Sequence, residues 1–346
     1  MTEPGSPPVM HPWRHRRLTP RLPWTVGGLF ARAGLSAGLL AVALFTNRSF
    51  LGWGIFAIFA ILVVPSGRIR SFMFSFGPYA AVWFIFTAIR SLADETVFAQ
   101  TLNFATPDFE REMFGGQLPT VMLQDQLLDV DSLAWYDYLC TAVHWSYFLV
   151  PHAVAIYLWY RHPEIFRRML GALTLLLSVG LALYFLLPSN PPWMAPEPIN
   201  SPSAPVVYRV MESIGKALGG GIYEASYKVV GESNPRAAMP SIHMAITFLL
   251  VFPMWVVSRR WGIGMLIYSV MMGYSLVYLG EHYVIDILIG CAVTAYGWWG
   301  VERINRTLIV PLRAQGGDLQ ITDTVSPTGQ VARSGACAAR LAEAAR

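Results

Sequence analysis

Eight apolar stretches, near residues 29–46, 50–64, 71–90, 134–160, 169–187, 239–257, 262–280 and 284–301, constrain this chain more than any other feature. A hydrocarbon core about 30 Å thick takes roughly 20 residues to cross as a helix. Lipid offers no partner to the backbone, so a crossing segment must satisfy its own N–H and C=O groups and is therefore helical. The first two stretches are short and read either as two crossings or as a re-entrant pair. The expected fold is all-α: a polytopic membrane helix bundle of about eight spans, with a six-helix core and an N-terminal two-helix extension. Composition agrees, since 54% of the 346 residues are hydrophobic and only 13% charged, a profile of lipid-solvated rather than water-solvated chains.

Charge sets the orientation. Arg14, Arg16, Arg17 and Arg21 precede the first stretch, Arg68 and Arg70 follow the second, Arg161, Arg167 and Arg168 the fourth, Arg259 and Arg260 the sixth, and Arg303, Arg306 and Arg313 the eighth. Every second loop is basic, which places those loops, and both termini, in the cytoplasm of a cell-membrane protein. The net charge of +4 then reports topology and contact with anionic headgroups, and no nucleic-acid partner is expected. The chain divides into a basic N-terminus (1–28), a transmembrane hairpin (29–66), a membrane domain (67–310) with extracytoplasmic loops at 91–133 and 188–238, and a tail (311–346) rich in Ala, Gly, Ser and Thr that reads as disordered. Arg16-Arg17 ahead of an apolar run, without an A-x-A-like site after it, reads as a retained signal anchor. Cys140 and Cys291 fall within spans and Cys337 in the tail, a distribution that supports neither a disulfide nor a cysteine metal site.

Polar residues in such a chain are expensive, so those near the spans are functional candidates. His243, in Met239-Pro240-Ser241-Ile242-His243, and His282, in His282-Tyr283-Val284-Ile285-Asp286, each stand where an apolar helix begins. His282 and Asp286 are four apart and share a helix face, so the carboxylate can take the hydrogen of one ring nitrogen and leave the other free. An imidazole so fixed is a competent nucleophile or base, and a second imidazole can protonate what leaves. The topology brings both histidines, Asp286, the end of the third span and the 188–238 loop to one extracytoplasmic face. His144 and His152, within the fourth span, read as interhelical hydrogen-bonding residues. Residues 93–133 interleave acidic residues with Phe98, Phe104, Phe109, Met113 and Phe114, as interfacial helices roofing a site would. Pro188-Ser189-Asn190-Pro191-Pro192-Trp193 stops a helix and sets an indole at headgroup level.

Pro240-Ser241-Ile242-His243 resembles the Pro-Ser-x-His motif, and His282 with Asp286 the closing His-x-x-x-Asp motif, of the type 2 phosphatidic acid phosphatase superfamily. Ala237-Ala238-Met239, Pro191-Pro192-Trp193 and Arg90-Ser91-Leu92-Ala93-Asp94 are similar to its inositol phosphorylceramide synthase-like inositolphosphotransferase branch, which has actinobacterial members. The resemblance covers about residues 71–305. It implies that His282 attacks phosphorus, Asp286 orients it, His243 protonates the leaving oxygen and Ser241 donates to a phosphoryl oxygen. A phosphohistidine would form and be resolved by water or an alcohol, with no cofactor and no metal.

Two departures bear on the reaction. Phosphatases of this superfamily place an arginine six residues before the second histidine, where this chain has Leu276, and their Lys-x6-Arg-Pro motif is missing near the third span. Another cation must face the phosphate: Arg90 first, although it could instead pair with Asp94 four residues on, and Arg236 second. Asn190, Trp193 and Asp94 complete the candidate substrate-binding set. The missing cations favour transfer of a phospho-alcohol group, such as inositol phosphate, from a phospholipid or lipid-linked phosphate donor to a lipid or glycolipid hydroxyl. Hydrolysis of phosphatidic acid or a polyprenyl diphosphate by water is the alternative, and a non-catalytic lipid or polyol transporter a third reading.

Overall fold

The computed structural model describes residues 34, 69–90, 92, 106–194, 206–219, 237–305 and 307. The N-terminal hairpin (apart from residue 34), Asp94, Arg236 and the tail lie outside the described residues. The chain forms two compact units, Met1–Val301 and Glu302–Arg346; what is described of the second is mainly the end of the last helix.

The helices are α1 (Ile69–Arg90), α2 (Thr106–Met113), α3 (Pro119–Leu127), α4 (Trp135–Ser146), α5 (Val150–Arg161), α6 (Pro163–Leu186), α7 (Val210–Ala217), α8 (Ile242–Leu249), α9 (Val251–Val257), α10 (Arg259–Tyr278) and α11 (Val284–Ile304). No strand forms among the described residues; a single parallel bridge joins Ser189 to Ala237. The protein is an all-helical, polytopic membrane protein. Among the described residues, helices α1, α6, α10 and α11 are each long and apolar enough to cross a bilayer, and α4 with α5, bent by 45° at their break, forms either a broken fifth span or a re-entrant pair. The expected crossing at 239–257 is a shorter apolar segment, Ile242–Val257, in which α8 passes into α9 at Leu250 with helical backbone.

Local chemistry sets the breaks. Pro119, Pro151 and Pro163 each stand in the first turn of their helix, where a missing N–H costs nothing. Pro151 cannot continue the ladder of α4, so the expected single span 134–160 bends there. Asp137 opens α4 by accepting the Ala134 N–H at 2.7 Å and also accepts a hydrogen bond from the Tyr278 hydroxyl of α10. α10 packs on α3, α4, α8 and α9, while α6 packs on α1, α5, α8 and α9. The core between them is apolar and aromatic, with Phe76, Tyr79, Phe166, Leu176, Ile246 and Leu276 buried. Phe74, Val270 and Trp299 are more than half exposed, as side chains that meet lipid are.

One end of the bundle gathers polar ends. Arg90 closes α1, Tyr184 lies near the end of α6, His243 opens α8, and the turn after α10 leads into α11. Helices α2 and α3 cover this end, as the interleaved 93–133 segment leads one to expect. Glu110 of α2 accepts the Ile285 N–H at 3.1 Å, and Gln124 of α3 donates to the carbonyls of Tyr208 and Tyr278. Phe109, Met113 and Phe114 stay exposed.

Candidate active site

The two histidine-bearing turns are built differently and then locked together. Ser241 is the N-cap of α8: its extended backbone starts the helix and its Oγ accepts the Met244 N–H at 3.2 Å. Its own N–H donates to the Asp286 carbonyl at 3.1 Å, which docks the start of α8 on the start of α11. α10 ends at Gly280, whose φ of 79° only glycine adopts without strain. The Glu281 and His282 N–H groups then both turn back to the Leu276 carbonyl. That turn delivers His282 to the start of α11, where Asp286 Oδ2 accepts the Tyr283 N–H at 2.9 Å.

The result is a row of three titratable groups. His282 Nδ1 lies 3.4 Å from Asp286 Oδ2, close enough for charge pairing though not aligned as a full hydrogen bond. On its other side, His282 Nε2 is 3.3 Å from His243 Nδ1. Asp286 is wholly buried and His282 nearly so. With the carboxylate at Nδ1, the neutral tautomer carries its hydrogen there and leaves the Nε2 lone pair directed at His243. Such a pair can attack an electrophile with one ring and exchange a proton with the other.

Of the residues singled out in the sequence, the structure brings His243, His282, Asp286 and Ser241 into direct contact. Arg90 stands nearby: its guanidinium carbon is 5.6 Å from the Tyr184 ring centre and its charge acts on His243. Asn190 and Trp193 lie in the segment after α6, which is bridged through Ser189 to Ala237. There the Ala238 N–H donates to the Ser189 carbonyl and the Trp193 N–H to the Gly280 carbonyl. Trp193 is half-buried with its indole Nε1 enclosed. Leu276, where the phosphatase arginine would stand, is wholly buried in the apolar core.

Sequence reading alone missed four contributors. His144 does not make the hydrogen bond expected of it. Both its ring nitrogens are buried without a partner, and its ring packs 4.8 Å from that of His243. Tyr147, one turn on, packs 4.6 Å from the same ring. Arg209 Nε donates to Glu281 Oε1 at 2.8 Å and its guanidinium lies 4.2 Å over the Trp193 ring. That pair is distant in sequence and carries no spacing signal. Glu110 is buried beside Asp286, and burial pushes its carboxyl from 4.5 up to about 7. His152, by contrast, makes the expected interhelical bond, to Tyr79 Oη at 2.8 Å. Among the described residues no group of three or more His, Cys, Asp or Glu is arranged to hold a metal ion.

The PAP2 superfamily model matches residues 121–300, from α3 almost to the end of α11, and takes in Ser241, His243, His282 and Asp286. The chain belongs to the PAP2 superfamily. This PAP2 chain is also 28% identical to the phosphoinositol dihydroceramide synthase of Bacteroides thetaiotaomicron, over 37% of its own length and 44% of that protein's. It thus spans less than half the length of the curated relative it matches. No solved structure matches it.

Proposed function

We propose that this protein moves a phospho-alcohol group, of the inositol phosphate kind, from a phospholipid to a lipid or glycolipid hydroxyl through a phosphohistidine at His282. The observation that carries the reading is the 3.3 Å approach of His243 Nδ1 to His282 Nε2 with Asp286 behind His282. In the first half-reaction, His282 Nε2 bonds to phosphorus as the P–O bond to the leaving alcohol breaks, and protonated His243 gives that oxygen its proton. In the second, the acceptor hydroxyl gives its proton to His243 as its oxygen bonds to phosphorus and the P–N bond breaks. Asp286 balances the charge that grows on His282. Arg90 faces the phosphoryl oxygens, since Leu276 is apolar and buried where a phosphatase cation would stand. The synthase name of the relative supports transfer over hydrolysis.

The test is product analysis with labelled phospholipids, with and without polyols and lipid alcohols. A new phosphodiester supports transfer, free phosphate with a free alcohol selects hydrolysis, and no product at all selects a transporter. His282→Ala and His243→Ala should each abolish turnover and Asp286→Asn leave a small remainder. Near-normal turnover in His282→Ala refutes the covalent route, and the activity should persist in excess EDTA.

A further inference from the structure

Resting on that reading, we propose that His144 is a third histidine of the reaction, holding the alcohol hydroxyl that leaves from or arrives at His243. It sits in the last turn of α4, just before the break ahead of Pro151. Its side chain is 5% exposed, and neither ring nitrogen has a hydrogen-bond partner. The same bundle satisfies a half-buried histidine, His152, with a tyrosine hydroxyl. A buried imidazole left with both nitrogens unmet is a vacancy for a polar group from outside the chain.

Position says which group. His144 packs against His243, the ring that exchanges a proton with the alcohol oxygen, at 4.8 Å between centres, and His243 in turn faces His282. A neutral imidazole offers one donor and one acceptor, whereas an ionised phosphoryl oxygen can only accept. A hydroxyl can do either, so it suits whichever nitrogen of His144 faces it. Tyr147, at 4.6 Å from His243, walls the same side and restricts where that hydroxyl can lie. His144 takes no net proton: the hydroxyl proton passes to His243 while His144 holds the oxygen in line with the P–N bond. A tethered alcohol needs its oxygen held at one place while its other contacts fix the rest of the molecule, whereas water can reach phosphorus from several positions, so loss of His144 costs alcohol transfer more than hydrolysis.

The experiment uses the full chain in mixed micelles with labelled phosphatidylinositol and, in separate arms, a soluble polyol, a lipid alcohol, or water alone. His144→Phe keeps a planar ring and removes the hydrogen bond; His144→Gln keeps a donor and an acceptor. His144→Phe should lower the ratio of alcohol transfer to hydrolysis by about tenfold or more, the scale of one lost hydrogen bond, and raise the acceptor KM more than it lowers kcat. His144→Gln should stay within about threefold of the wild-type ratio. A fall confined to the polyol arm or to the lipid arm supports the proposal and names the source of the hydroxyl. An unchanged ratio in His144→Phe overturns it, as does equal loss of both products in His144→Phe and His144→Gln. Failure of the parent reading looks different: wild-type protein makes no phosphodiester, or His282→Ala keeps its turnover, whatever His144 does.

Discussion

Arg90 and Glu110 bring opposite charges to the histidine row, and each makes a separate prediction. In the proposed site Arg90 holds phosphate through its planar fork. Arg90→Lys keeps the charge and loses the two-point geometry, so turnover should fall tenfold or more, as losing roughly 1.5–3 kcal/mol of charge-assisted hydrogen bonding requires. Thermal stability should change by less than about 1 kcal/mol. Both are measured on one preparation, and a fully active variant would pass the role to Arg236. Glu110 predicts a pH effect. Its carboxyl is raised from 4.5 to about 7, first by burial and then by the neighbouring charge of Asp286, while the Ile285 N–H bond opposes the rise. A raised folded-state value means that the protonated group stabilises the fold below the unfolded value, and that this contribution is lost as pH climbs through about 7. Each unit of displacement is worth about 1.4 kcal/mol. The hold of α2 on α11 should therefore weaken between about pH 4.5 and about pH 7. Glu110→Gln, which keeps an acceptor for Ile285 but cannot titrate, should flatten that slope in thermal melts; parallel slopes would remove Glu110 as the cause.

At the scale of elements, the site depends on how closely α8 and α11 cross. A Cβ on Gly290 would lie 2.6 Å from the Ser241 carbonyl oxygen and 3.5 Å from the Ala245 nitrogen, contacts with backbone that no side-chain rotation relieves. One turn further, Thr294 Oγ1 donates to the Ala245 carbonyl at 2.7 Å. Gly290→Ala must part the two helices that carry His243 and His282. It should cost about 1–3 kcal/mol of stability and, because a shift near 1 Å at reacting groups can cost on the order of a hundredfold, a far larger share of turnover. Gly264→Ala, on the open side of α10 with nothing within 4 Å, is the matched control and should leave turnover within about twofold and stability unchanged or raised by up to about 1 kcal/mol. If the two substitutions behave alike, the close crossing is not what sets the histidine distance. This is also where the sequence stops being legible. The i,i+4 spacing of His282 and Asp286 and the apolar runs after His243 and His282 are local patterns, and the three groups they single out lie side by side in the structure. Gly290 is one glycine of 29 until the Ser241 carbonyl is seen beside it. His144 reads as a satisfied span histidine until its two unpartnered ring nitrogens are seen. Arg209 and Glu281 stand 72 residues apart, a separation over which no periodicity carries information. The bend before Pro151 was signalled by the proline itself, but not its angle.

At the scale of the whole molecule, the helices separate two kinds of charge. Along α6, Arg167 and Arg168 stand at the start and Tyr184, beside Arg90, near the end. Along α10, Arg259 and Arg260 stand at the start, and the turn that delivers His282 follows the end. At 1.5 Å per residue, α6 with 24 residues is about 36 Å long and α10 with 20 is about 30 Å, so the arginine-rich ends lie a bilayer's depth from the histidine row. Arginine-rich loops stay in the cytoplasm, from which we propose that the row, with α2, α3 and α7 around it, opens to the extracytoplasmic side. Two exposed positions test this. Lys216 of α7 and Glu164 at the start of α6 have side chains 72% and 61% exposed. Each is paired only with a neighbour on its own helix, Glu212 and Arg167, so replacing it disturbs little beyond a surface ion pair. In a background with Cys140, Cys291 and Cys337 changed to Ala, Lys216→Cys should react with a membrane-impermeant thiol reagent in intact cells. Glu164→Cys should react only after the membrane is opened. The reverse pattern would turn the bundle over and give the site cytoplasmic substrates. That inversion would leave the chemistry of the three groups intact and change which leaflet supplies the lipid donor, because a histidine row held at one end of the helices meets the headgroups of one leaflet.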